Sequence, residues 1–447
     1  MRVHPYLIKV KAMQAANLVG YVKRVSPGFV EASGPLCTVG DICEIDCKVS
    51  SFDSNALTVL AEVASVEEGR TVLIPLNQSA NILPDSRVRV LPSNYEAPVG
   101  DAFAGRLIDA MGQALDGKKE VLSESSLPIS GTVLKPMDRS EPGEVVQTGI
   151  KAIDGLLTIG KGQRLGVFAA SGVGKTTLMA QLSRQVQADR CVICLVGERG
   201  REVETLWRNI SENPDELKHY TCVAATSDVS AALRARAVYQ ALALAEYWRG
   251  RGEHVLLLID SVTRFAMALR EIGLAAGAPP TLRAYTPNVF DALPRMVERC
   301  GSAKSGGAIT AVMTVLSETD EVDDPIVEVM KSLLDGHIVL SRTLAEQGHF
   351  PAVDITKSIS RQSDKLMDSS HLKAARHIIA MLSAYEEAKV LIESGIYQSG
   401  SNSLIDDAIS TKKNLNQFLQ QGDLETTPLS STIAALLSLS QDGVANA

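Results

Sequence analysis

Three kinds of hydrophobic spacing follow one another along the chain. From residue 18 to 92, short β-rich runs such as Leu18-Val-Gly-Tyr-Val-Lys-Arg-Val25, Ile42-Cys-Glu-Ile-Asp-Cys47, Thr71-Val-Leu-Ile-Pro75 and Val88-Arg-Val90 are broken by Ser26-Pro-Gly28 and Ser33-Gly-Pro35. Strands at this spacing predict a small antiparallel barrel, with a role in assembly rather than catalysis. Residues 93–150 are rich in Pro, Gly and Asp. Apolar strand-like runs at 164–169, 191–196, 254–259, 308–315 and 337–341 then alternate with helical periodicity, the pattern of a mainly parallel sheet covered by helices. The longest helical pattern, Ser230-Ala-Ala-Leu-Arg-Ala-Arg-Ala-Val-Tyr-Gln-Ala-Leu-Ala-Leu-Ala-Glu-Tyr-Trp248, follows a capping sequence at Thr226-Ser-Asp228. Beyond residue 364 only helical spacing remains, through 371–393, 403–420 and 429–439. The predicted division is a β-barrel oligomerisation domain at 1–92, an α/β domain at 93–363 and a helical domain at 364–447.

The apolar run that opens the α/β alternation, Leu165-Gly-Val-Phe-Ala-Ala170, gives way to Ser171-Gly-Val-Gly-Lys-Thr176 and then to a second apolar run. This fits the phosphate-loop pattern G-x-x-x-x-G-K-[ST] except at its first position, where Ala169 stands for glycine. A methyl group is tolerated there wherever the backbone has ordinary φ. Gly172 and Gly174 let backbone N–H groups turn onto phosphate oxygens, and the next helix aims the positive end of its dipole at the same anion. Ser171, Val173 and Thr177 complete the expected nucleotide contacts. Lys175 is expected to reach the β- and γ-phosphates and Thr176 to offer its hydroxyl to Mg²⁺, so the expected ligands are a nucleoside triphosphate and Mg²⁺.

Composition narrows the class. A chain of 447 residues exceeds a single core, and 45% hydrophobic with 21% charged residues is ordinary for a globular protein. The 44 basic and 52 acidic side chains leave a net charge of −8 with no long basic run, which argues against a dedicated nucleic-acid surface. Seven cysteines scattered through apolar contexts point to a reducing compartment. Cys191 and Cys194 form a C-x-x-C inside a predicted buried strand, a core position rather than a redox or metal pair. Cys37, Cys43 and Cys47 lack a second ligand cluster for zinc. No stretch reaches the roughly 18 apolar residues of a membrane span, and Met1-Arg-Val-His-Pro-Tyr-Leu-Ile-Lys-Val10 holds no signal-peptide core. A cytoplasmic protein, attached to a membrane only peripherally, is expected. The first 17 residues are apolar and basic enough for a short amphipathic helix.

Two carboxylates complete the candidate chemistry. His254-Val-Leu-Leu-Leu-Ile-Asp260 is an apolar strand that ends in Asp260, about 85 residues after Lys175. In a phosphate-loop fold such an aspartate holds Mg²⁺, usually through its waters. Val196-Gly-Glu-Arg-Gly-Arg-Glu-Val203 directly follows the strand after the phosphate-loop helix, which places Glu198 to orient and polarise a water opposite the γ-phosphate. Alone, either carboxylate is an ordinary feature of a strand end or a solvated turn; the alternating pattern around them gives both their meaning.

Gly174-Lys-Thr176, Gly197-Glu-Arg-Gly-Arg-Glu-Val203 and Leu256-Leu-Leu-Ile-Asp-Ser-Val-Thr-Arg264 together resemble the catalytic chains of the rotary-ATPase superfamily. The Gly-Glu-Arg-Gly-Arg-Glu-Val variant is similar to that of the type III export ATPases of flagella and injectisomes. Gly155-Leu-Leu-Thr-Ile-Gly-Lys-Gly-Gln-Arg164, Leu293-Pro-Arg-Met-Val-Glu-Arg299, Leu334-Asp-Gly-His-Ile-Val-Leu-Ser-Arg342 and Ser358-Ile-Ser-Arg361 extend the resemblance over residues 18–420. It implies a RecA-like P-loop core between the barrel and the helical domain. It makes Glu198 the carboxylate that activates water, Glu202 a second acid near the Mg²⁺ shell, and Arg264 an arginine approaching the γ-phosphate from the same subunit. Arg361 becomes an arginine finger for the neighbouring subunit's site. Phe350 matches the aromatic on which adenine stacks, and Tyr397 either closes the other side of the ring or packs. The chain departs from the family at Ala169, at Ala170 and in Glu318-Thr-Asp-Glu-Val-Asp-Asp-Pro325, without losing a catalytic group.

The function this resemblance implies is a homohexameric, Mg-ATP-hydrolysing ATPase that energises type III protein export for flagellar assembly at the inner face of the cytoplasmic membrane. Its partners would be a negative regulator, a stalk protein, export chaperones and substrates, and the membrane export gate, with no nucleic acid. An injectisome ATPase is the nearest alternative. A catalytic subunit of a rotary ATP synthase usually reads Gly-Glu-Arg-Thr-Arg-Glu-Gly where this chain has Gly200 and Val203. A ring-shaped RNA translocase needs aromatics interleaved with basic residues, and residues 1–92 hold few aromatics and several acids. A non-catalytic subunit commonly lacks the glutamate that Glu198 supplies.

Overall fold

A computed structural model describes residues 19–47, 58–76, 82–91, 96–213, 215–317 and 324–442. The helix expected over the first 17 residues and positions 318–323 of the acidic segment lie outside the described residues. The chain forms two compact units. One comprises the N-terminal strands with Asp228–Ala235 and Met267–Asn288, and the other comprises Ala97–Ser227, Arg236–Ala266 and Val289 onward.

The N-terminal strands are β1 (Gly20–Ser26), β2 (Phe29–Ser33), β3 (Ile42–Asp46), β4 (Thr58–Glu67), β5 (Arg70–Pro75) and β6 (Arg87–Val90), closed into a barrel in the order β1-β2-β5-β4-β3-β6. Every second side chain points inward, so that Val59, Ala61 and Val63 of β4 meet Val22, Val30, Ile45, Leu73 and Val88 in one core. Closure leaves no strand edge unpaired. The expected barrel is therefore present, and its linker runs into the second unit after Glu96.

The second unit is built on β7 (Arg106–Ile108), β8 (Arg164–Ala169), β9 (Arg190–Val196), β10 (Tyr220–Ala225), β11 (His254–Asp260), β12 (Ala308–Leu316), β13 (Gly336–Leu340) and β14 (Val353–Ser360). Their order is β14-β13-β8-β12-β11-β9-β10-β7, parallel except for the antiparallel edge pair β13–β14. The central strands are buried along nearly their whole length, which is why they read as almost unbroken apolar runs. Strand β14 was not legible as a strand, because Asp354, Thr356, Lys357 and Ser358 give an edge strand the polarity of a loop. All seven cysteines are free thiols, and those of the expected C-x-x-C are buried in β9.

The helices that matter for the site are α1 (Lys151–Leu156), α2 (Lys175–Gln185), α3 (Gly200–Ser211), α4 (Ala231–Gly250), α5 (Val262–Ala275), α6 (Ser369–Glu393), α7 (Ser403–Leu419) and α8 (Leu429–Asp442). The hydroxyl of Ser230 accepts the Leu233 N–H at 3.4 Å and so caps α4. The three C-terminal helices form where periodicity predicted them. Ile378, Met381, Leu415, Phe418 and Leu436 share a single core with Ile153, Leu178, Leu182, Ile193 and Leu258, so the helical region and the sheet belong to one compact unit.

One polar contact is sealed inside this unit. The Arg299 guanidinium, 1% exposed, donates two hydrogen bonds to the Glu246 carboxylate at 2.8 and 2.9 Å and a third to the Ile129 carbonyl at 2.9 Å. Removing one partner strands a buried charge. Arg299→Met is expected to destabilise the fold by about 3–5 kcal/mol, read as a fall in the thermal midpoint, and Arg299→Met with Glu246→Leu should recover most of that loss.

Candidate active site

Parallel strands deliver their C-terminal ends to one edge of a sheet, and four neighbours, β8, β12, β11 and β9, do so here. Register aligns them closely: Ala169 lies beside Leu316, and Leu195 beside Asp260. The chain leaves β8 through Ala170-Ser-Gly-Val-Gly174 and enters α2 at Lys175. It leaves β9 through Gly197, Glu198 and Arg199 and enters α3. The loops after these strands therefore converge on the sheet edge.

The phosphate loop has the backbone its glycines predict. Gly172 (φ 82°) and Gly174 (φ 97°) occupy left-handed conformations that strain any residue with a Cβ. Ala169 is the last residue of β8, buried and extended, so its methyl fits the core. Val173 is buried too and offers the site only its backbone. Ser171, Gly172, Thr176 and Thr177 are exposed around the mouth of the loop.

Behind the loop lies a tight charge cluster. The Lys175 ammonium is 2.5 Å from Oδ1 of Asp260 and 3.6 Å from Oε1 of Glu198, and the three side chains are 12%, 7% and 15% exposed. The Thr314 hydroxyl donates to the same Asp260 oxygen at 2.7 Å. Burial raises the Glu198 carboxyl above its ordinary range; Lys175 opposes this, and Asp260 and Glu202 add to it. A carboxylate so placed takes up a proton more readily than one in water, the property a general base needs. Arg264, in the first turn of α5, lays its stem against Gly197, where an added Cβ would stand 3.1 Å from the Arg264 Cβ. Its Nε is buried with no hydrogen-bond partner, a donor without an acceptor next to the Gly197–Glu198 turn. The oxygens offered to a cation are the Thr176 hydroxyl and the Asp260 carboxylate, hard donors of the kind Mg²⁺ takes. No group of three His, Cys, Asp or Glu side chains that could hold a metal ion stands among the described residues.

Beside the loop a cavity of about 350 Å³ is lined by Gly174, Thr177, Phe350, Pro351, Gln421 and Gly422 among others. The Phe350 ring, 46% exposed, comes within 3.6 Å of the point where a Gly174 Cβ would sit, so the ring lies against the loop. Tyr397 does not line this cavity; its hydroxyl engages the Asn402 carbonyl and Asp406, each at 3.1 Å. Arg361 stands apart as well. It follows Ser360, which pairs with Gly336 at the start of β13, whereas the phosphate loop leaves the sheet beside Leu340 at the other end. Four residue steps of about 3.3 Å separate those ends, roughly 13 Å of strand. The Arg361 guanidinium is exposed and donates to the Lys331 carbonyl.

Neither Thr314 nor Gln421 stands out in the sequence. Thr314 was visible only as one of two hydroxyls, with Thr310, interrupting a buried strand. Gln421, followed by Gly422, read as the end of a helix.

A phosphate loop at a strand–helix junction, with a strand-end aspartate and a neighbouring glutamate, defines the P-loop nucleoside triphosphatases. Residues 149–360 match the nucleotide-binding domain of the ATP synthase alpha/beta family, and residues 367–438 match the T3SS EscN ATPase C-terminal domain. The flagellum-specific ATP synthase of Bacillus subtilis (strain 168) is 45% identical over 421 residues, 94% of each chain. A type 3 secretion system ATPase of Xanthomonas euvesicatoria is 39% identical over 423 residues, 95% of this chain and 94% of that one. The assembled ATPase EscN of the enteropathogenic E. coli type III secretion system superposes with a TM-score of 0.88 at 36% identity, covering 94% of this chain and 100% of EscN. EscN in complex with its central stalk EscO superposes with a TM-score of 0.84 at 35% identity and the same coverage. The chain belongs to the family of flagellum-specific and type 3 secretion ATPases, enzymes that hydrolyse ATP.

The Thr314 hydroxyl fixes one oxygen of Asp260, so Thr314→Val, which keeps shape and loses the hydroxyl, should lower ATP turnover about tenfold with the thermal midpoint little changed, the order of one hydrogen bond to a charged group. Steady-state ATPase assay and a melting curve on the same preparation check this.

Proposed function

We propose that the chain works as a homohexameric Mg-ATP-hydrolysing ATPase that energises type III protein export, in flagellar assembly, with the reacting sites shared between subunits. The observation that carries the shared site is the position of Arg361: exposed, and at the far end of the strands from its own phosphate loop. An arginine of that family position serves chemistry only where a second copy brings its loop near. The assembled state of EscN supports the same reading. The EscN–EscO complex supports a central stalk as a partner. No helix among the described residues is long and apolar enough to cross a membrane, in keeping with peripheral attachment at the export gate.

In this reading the Gly172–Gly174 backbone and the Lys175 ammonium hold the β- and γ-phosphates, and the base lies on Phe350. Thr176 and Asp260 hold Mg²⁺, which when bound neutralises phosphate charge. Glu198 orients a water in line with the γ-phosphorus and takes its proton as the new P–O bond forms and the bond to ADP breaks. Glu202 keeps a second acid beside Glu198. Arg264, with its unpaired Nε, binds γ-phosphate oxygens from the same subunit, and Arg361 spreads transition-state charge from the neighbour.

Glu198→Gln should still bind ATP and hydrolyse it at least about 100-fold more slowly, the order for loss of a general base. Arg361→Ala should lose turnover with nucleotide affinity intact. Mixing the two inactive proteins should restore part of the activity, because a wild-type Glu198 on one subunit then meets a wild-type Arg361 on its neighbour. Near-normal turnover of Glu198→Gln, or a mixture no better than its components, would sink the reading.

A further inference from the structure

Gln421, in the linker from α7 to α8, is held more tightly than a turn residue needs to be. It is 6% exposed, and its side-chain amide is bonded through both its nitrogen and its oxygen. The nitrogen donates to the Gly149 carbonyl at 2.7 Å and to the Glu425 carbonyl at 2.8 Å, while the oxygen accepts the Lys151 N–H at 2.9 Å. Its backbone N–H donates to the Phe350 carbonyl at 2.9 Å. One residue thus ties the aromatic at the nucleotide cavity to the start of α1 and to the linker itself.

The phosphate-loop helix holds the same linker from the other side. Gln181, Arg184 and Gln185 of α2 donate to the carbonyls of Gly422, Asp423 and Glu425 at 3.3, 3.2 and 2.9 Å. Gly149 is required beneath it: with φ 72°, an added Cβ would come within 2.8 Å of Thr426 and 2.9 Å of Gln185. The Gln421 and Gly422 segment forms the cavity wall together with Phe350. The side chain binds the Gly149–Lys151 segment and the linker while the main chain of the same residue binds Phe350, so Gln421 fixes the geometry of all three, because any shift leaves a buried donor unpaired.

We propose that Gln421 is a positioning residue for the nucleotide base: it sets the Phe350 platform against the phosphate loop and thereby links the C-terminal helices to base binding. This rests on the reading that the base occupies the Phe350 cavity. Phosphate binding, which uses the loop backbone and Lys175, does not depend on Gln421, so the two parts of ATP respond differently to its loss.

The test uses the full-length protein at one fixed concentration, with Gln421→Ala, Gln421→Glu and Phe350→Ala. KM and kcat are measured for ATP, and inorganic tripolyphosphate, which has no base, is measured as a competitor. Gln421→Glu keeps the acceptor for Lys151 and sets its second oxygen against the Gly149 and Glu425 carbonyls, so it breaks the donated bonds by repulsion where alanine breaks them by truncation, and a melting curve of each variant guards against a simple folding defect. Both Gln421 variants should raise KM for ATP about tenfold, with kcat within about threefold and tripolyphosphate inhibition unchanged. An unchanged KM, or equal weakening of ATP and tripolyphosphate, would overturn the positioning role and leave a structural one. Phe350→Ala separates the two ideas: if it leaves KM for ATP unchanged, the base does not stack there and both fall. If it raises KM while the Gln421 variants do not, only the role of Gln421 falls.

Discussion

A lysine can stand nearly buried at the edge of a sheet only if carboxylates meet it there. The Lys175–Asp260 contact, with Glu198 beyond it, is the constraint the active-site edge has to satisfy. Each member leaves the sheet from a different strand, so a one-residue slip of β11 against β9 or β12 would turn Asp260 to the wrong face and leave an unpaired buried charge. The long apolar runs that fix the register of β8, β9, β11 and β12 therefore do more than fill the core. They set the placement of charges that lie far apart in sequence, while Thr314 holds the oxygen that Lys175 also uses.

Much of this was legible in residues alone, for a definable reason. The phosphate loop, Asp260 and Glu198 are contiguous with the strands that carry them, so a reading of strand ends finds them. The barrel and the three C-terminal helices declare themselves by a period of two and by helical spacing. What could not be read depends on neighbours distant in sequence. Strand β14 takes its identity from pairing with β13 at an edge, where polar side chains are allowed. Thr314 is one hydroxyl in a buried strand until Asp260 is placed beside it. Gln421 looks like a helix end because its partners, Gly149, Lys151 and Phe350, lie about 70 to 270 residues away. Tyr397, expected near the base on a loose match, spends its hydroxyl on Asn402 and Asp406 instead.

Glycine illustrates the same division between local and distant causes. Gly172 and Gly174 are needed by the loop's own backbone, and a motif can name them. Gly149 is needed because another part of the chain passes within touching distance. No motif announces that kind of requirement, yet a substitution there would be felt at the linker that walls the cavity beside the phosphate loop.

The separation of Arg361 from its own phosphate loop also has a meaning for assembly. With the site shared as proposed, the chain has a giving face at one end of its sheet and a receiving face at the other, and associates head to tail by a contact whose two sides differ. Such contacts repeat without limit unless the rotation from one copy to the next divides a full turn. An open row then has one incomplete site at its terminus, whereas a closed ring has none. Ring closure, more than the strength of any single contact, would decide whether every subunit works.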